Sequence, residues 1–86
     1  MGMDLIGAGL SYNWQAWHWL RERLQNWGVD TSELSSLNDG DPISAATCVA
    51  IADALQAHLE ELSPTEKSLV EPHIDAWRNC HGCEQW

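Results

Sequence analysis

At 86 residues the chain has room for one domain, spanning residues 1–86, and none for a separate catalytic one. Its 44% hydrophobic and 20% charged residues suit a folded protein rather than a disordered one. Thirteen acidic residues against four Lys and Arg give a formal net charge of -9, which repels phosphate backbones and anionic lipid and argues against nucleic-acid and membrane partners.

The opening stretch from Met1 to Leu10 is apolar and contains glycine. It lacks a basic region, carries Asp4, and is too short for a secretory signal or a membrane span. Ile6 stands where a myristoylation signal requires Ser or Thr, so a cytoplasmic protein is expected. Three cysteines cannot all pair with one another, which also fits a reducing compartment.

Ser11 and Asn13 offer side-chain acceptors to free backbone N–H groups, and the chain from about Trp14 to Trp27 runs without Gly or Pro until Gly28. This predicts a first helix whose core stripe is Trp17, Leu20, Leu24 and Trp27. Trp19 falls on the opposite, polar side, within one turn of Arg23.

From Val29 to Ile43 the chain is rich in Ser, Asp, Asn and Gly and reads as a long central loop, with room for one helical turn between Ser32 and Leu37. Ser44 then caps a second helix expected to reach Leu62, with Cys48, Ile51, Ala52, Leu55, Leu59 and Leu62 on one face. Ser63, Pro64, Thr65 and Glu66 form a capping box with Pro at the first helical position, so a third helix follows almost directly. Its face continues through Leu69, Val70, His73, Trp77 and Cys80, with a kink or split at Pro72, which lacks a backbone donor. The expected fold is all-α, a compact bundle of three main helices.

Three segments carry a resemblance: Ser11-Tyr12-Asn13-Trp14, Asn38-Asp39-Gly40-Asp41-Pro42-Ile43, and Trp77-Arg78-Asn79-Cys80-His81-Gly82-Cys83. With these the chain resembles a group of short, uncharacterised bacterial proteins. The resemblance implies a single domain and brings no activity or site with it.

Among residues that bear chemistry, Cys80 and Cys83 form a CxxC pair able to grip a metal ion or close a small disulfide. A structural zinc site needs four ligands, and Cys48 and His73, each on an apolar helical face, are the nearest candidates to complete one. Each also reads as an ordinary core residue. Thiol exchange is disfavoured, because the pair follows a helix instead of preceding one, where the dipole would stabilise thiolate.

Asp39-Gly40-Asp41 lacks the ligand spacing of a calcium loop. No phosphate loop, nucleophile elbow or paired metal-binding His motif is present, and His18, His58, His73 and His81 are scattered, so no enzymatic activity and no cofactor are expected. Trp19 with Arg23, joined by Trp14, has the make-up of an interface anchor, although the rest of the chain folding over that face explains it equally well. The expected function is a non-enzymatic protein–protein interaction or regulatory module, meeting a protein partner or a second copy through the first helix. The alternative is a small zinc-stabilised domain built on the C-terminal CxxC.

Overall fold

The computed structural model describes residues 2–86. It overturns the all-α bundle, because four short strands form an antiparallel sheet against which the helices pack. Strand β1 (Gly2–Ile6) turns back into β2 (Leu10–Asn13), with Gly2 opposite Asn13 and Leu5 opposite Leu10. The turn uses Gly7 at φ +107°, a backbone conformation that L side chains rarely adopt. Helix α1 (Trp14–Asn26) follows, capped by the Asn13 side chain, which accepts from the Ala16 N–H at 2.7 Å.

Strand β3 (Pro42–Ile43) ends the central loop, and helix α2 (Ala45–Ala57) starts at the Ser44 cap. This helix does not run to Leu62: at His58 the backbone leaves the α conformation and the chain tightens into a 3-10 turn over Leu59–Glu61. The His58 ring stacks on Trp27 with centroids 4.5 Å apart, and its Nδ1 lies 2.6 Å from Glu61 Oε2. Trp27 is consequently half-buried at the rim and not part of the fully enclosed stripe.

The third helical stretch divides at Pro72 into α3 (Pro64–Val70), a 3-10 turn at Glu71–His73 and α4 (Ile74–Asn79). The complete capping box of Ser63 and Glu66 starts α3. Strand β4 (Cys83–Gln85) then inserts between β1 and β3, antiparallel to both, giving the order β2-β1-β4-β3.

Side chains alternate across this sheet, as a half-buried sheet requires. Met3, Leu5, Leu10, Tyr12, Ile43, Cys83 and Gln85 point inward, while Asp4, Ile6, Ser11, Asn13, Pro42 and Glu84 face solvent. On the outer face Ser11 donates a hydrogen bond to Asp4 across the hairpin at 2.7 Å. The inner face joins one core with Trp17, Leu20 and Leu24 of α1, Cys48, Ile51, Ala52 and Leu55 of α2, and Ile74 and Trp77 of α4.

The central loop is held by polar contacts. The fully buried Gln85 donates from Nε2 to the carbonyls of Glu33 and Asp41, at 2.8 and 3.1 Å, and accepts the Ser35 N–H on Oε1 at 2.7 Å. Trp17 Nε1 donates to the Ser35 carbonyl at 2.7 Å, and Leu34 is buried beneath. Glu33 accepts the Ser44 N–H at 2.6 Å, which ties the loop to the start of α2.

Candidate metal centre

Three elements deliver one cysteine each to the same point in the core. Cys48 lies in the first turns of α2, on the buried face it shares with Ile51, Ala52 and Leu55. Cys80 caps the C-terminus of α4, where the backbone becomes extended, and Cys83 opens β4 directly opposite Ile43 of β3. Between them Gly82 adopts φ +112°, which turns the chain from helix end to strand within two residues. A side chain at Gly82 would find room but would be strained by that φ, so the tight link between Cys80 and Cys83 favours glycine there.

All three are free thiols, buried, with their sulfur atoms within 4.8 Å of one another. With a Zn–S bond of about 2.3 Å, sulfurs around a three-coordinate ion stand roughly 4.0 Å apart, so the triangle needs only small side-chain adjustments to grip one. Burial pushes the Cys48 thiol well above its ordinary range, and the neighbouring Cys80 and Cys83 push it further. Burial likewise raises the Cys83 thiol, to about 11, with the Cys80 charge adding to the effect. Without an ion, burial therefore holds Cys48 and Cys83 as neutral thiols at neutral pH, and an ion binds there by displacing protons.

His73 does not join them. Its Nδ1 lies 2.9 Å from the Tyr12 hydroxyl, which also accepts from Trp77 Nε1 at 3.1 Å. One Tyr12 hydroxyl thus links the Trp77 N–H, which it accepts, to the His73 ring. Burial lowers the His73 pKa and raises that of Tyr12, so both neutral forms are favoured. The expected two-turn alignment of His73 with Cys80 fails because the 3-10 turn at Glu71–His73 changes the rotation per residue, and because β2 brings Tyr12 against the ring.

The aromatic face of α1 is partly covered. Trp19 is half-buried, and its Nε1 donates to Glu66 Oε2 at 3.1 Å. Arg23 reaches the same oxygen at 3.4 Å, while Glu66 Oε1 accepts the Ser63 N–H and completes the α3 cap. The Ser63 backbone hydrogen bond, ahead of the contacts with Arg23 and Trp19, lowers the Glu66 pKa. Trp14 is half-buried against the core. An open groove of about 270 Å³ remains, lined by Asn13, Gln15, Ala16, Trp19, Glu66 and Leu69.

Sequence reasoning passed over two residues that organise the molecule. Glu66 is visible as half of a capping box, but its second role toward Trp19 and Arg23 has no local signature. Gln85 carries no pattern at all. None of the helices among the described residues is long and apolar enough to cross a membrane. No family model, curated protein or solved structure matches the chain, and nothing bears on the resemblance to short bacterial proteins.

Proposed function

We propose that this chain is a small, non-enzymatic domain stabilised by one thiophilic metal ion held by Cys48, Cys80 and Cys83. The observation that carries the reading is the convergence of three buried sulfurs from α2, the end of α4 and β4, within 4.8 Å of one another. Strands of two and three residues are too short to persist unaided, and a chain of this size has little core to spare. An ion at this junction ties β4 directly to the helices, and β3 through its pairing with β4, which is where a staple is most effective. Burial of all three ligands leaves no open position for a substrate, as expected of a structural centre and not a catalytic one.

Metal analysis of protein purified under reducing conditions tests the reading. About one thiophilic ion per chain is expected, and chelation should lower the thermal midpoint. A metal-free protein whose unfolding does not respond to added zinc, copper(I) or arsenite would remove it.

A second reading, that the domain binds another copy of itself, is favoured by the groove between α1 and α3, where Leu69 is 44% exposed beside Trp19. Light scattering on the wild type and on Trp19→Ala should then give a dimer and a monomer. A wild type that is monomeric at high concentration rules it out.

A further inference from the structure

We infer that the site of Cys48, Cys80 and Cys83 is built for an ion satisfied by three sulfur ligands and carrying three positive charges, of the arsenic(III) class, rather than for four-coordinate zinc. The inference rests on the metal-site reading above and names the ion that site prefers. Coordination number supplies the first argument. Among the described residues no His, Asp or Glu ligand atom joins the three sulfurs at that spacing. The residues that flank them on the buried faces are Ile43 opposite Cys83, Ile51 and Ala52 beyond Cys48, and Trp77 before Cys80. The first three are aliphatic, and the Trp77 N–H is already given to Tyr12. Structural zinc takes four ligands, and with Cys48 at 0% exposure and Cys80 and Cys83 at 5% there is little opening for water to act as the fourth.

Charge supplies the second. Three thiolates around zinc leave one net negative charge in the core, and around copper(I) they leave two. Of the four Lys and Arg side chains, three are committed in ion pairs at the surface, Arg78 to Asp53 at 2.7 Å, Lys67 to Glu60 at 3.1 Å and Arg23 to Glu66 at 3.4 Å, and the fourth, Arg21, lies on α1, which contributes no cysteine. An unpaired charge in an apolar interior is costly, and only a trivalent ion leaves none. Uncharged arsenous acid also enters without bringing charge into the core. It reacts with three thiols, breaking three S–H and three As–O bonds. Three As–S bonds form, three water molecules leave carrying the thiol protons, and the oxidation state of arsenic is unchanged.

The test uses the whole chain, reduced, metal-free and anaerobic, titrated separately with sodium arsenite, zinc(II) and copper(I). Calorimetry and thermal unfolding give relative affinity, native mass spectrometry gives stoichiometry, and X-ray absorption at the arsenic edge gives the ligand shell. One arsenic per chain, surrounded by three sulfurs and no oxygen, with affinity at least about tenfold above either other ion, is expected. Tighter binding of zinc or copper(I), or arsenic held by two sulfurs and an oxygen, overturns the preference and leaves the metal-site reading standing. Failure of all three ions to bind removes both. Cysteine variants are not required for this decision, so a variant that fails to fold does not obscure it.

Discussion

Cys83 and Gln85 stand two residues apart on the same inward face of β4, both buried, and their surroundings have little in common. Gln85 uses its side-chain nitrogen and oxygen on three backbone groups of the central loop. This is how a buried polar residue looks when its work is structural. Cys83 meets two other thiols among aliphatic and aromatic side chains. The contrast separates a polar clasp that is complete as it stands from a ligand set that an ion would complete.

Loading the cysteine cluster should produce the largest change. At a free ion concentration of about 100 times Kd the fold gains about 2.7 kcal/mol, and about 4.1 kcal/mol at 1,000 times, measured as a shift in urea midpoint. Cys48→Ser should abolish that response. Without any ion the contrast reverses: Gln85→Leu strands the Ser35 N–H and the Glu33 carbonyl, while the Asp41 carbonyl keeps the backbone N–H of residue 85, and the change should cost about 2–4 kcal/mol. Under the same ion-free conditions Cys48→Val, a small apolar exchange in a packed core, should cost less than about 1.5 kcal/mol. Equal losses for the two would erase the distinction between clasp and ligand set.

Tyr12→Phe removes the acceptor of Trp77 and the partner of His73, and a loss of about 1–2 kcal/mol in urea unfolding is expected. The smallest effect is one of pH. Burial holds the His73 pKa below its unfolded value of about 6.5, so the folded state favours the neutral ring. Its contribution is complete above that value and declines as pH falls through the folded pKa. Urea unfolding at about pH 7.5 and pH 5.5 should show this decline in the wild type and a smaller one in His73→Gln; equal declines would remove His73 as the cause.

Helix starts were legible because caps act locally. Asn13, Ser44, and Ser63 with Glu66 each fix a boundary within four residues, and the ring of Pro72 breaks the third stretch where steric reasoning requires. The sheet was not legible, because β3 and β4 exist only through pairing between distant segments and are too short to show a period. Only β1 and β2 left a trace, in the alternation of Met3 and Leu5, then Leu10 and Tyr12, around a glycine turn. Cys48, Cys80 and Cys83 could be gathered from face arithmetic and the CxxC spacing, whereas the true partner of His73 lies on a strand that arithmetic had left unstructured. Trp19 looked exposed on a helical wheel because the carboxylate that meets it is 47 positions away in the chain.

The position of β4 sets the order in which the molecule is made. Synthesis delivers the hairpin at residues 2–13 about 70 residues before the strand at 83–85 that lies beside it. Closing so long an intervening chain costs entropy before any pairing repays it, so sheet completion should lag behind helix formation. Until residues 83–85 dock, β1 has an unpaired edge and Cys83 has not reached its neighbours. A nascent chain at that stage is open to association with other chains through that edge, and the arrival of β4 both shields the edge and assembles the sulfur triangle.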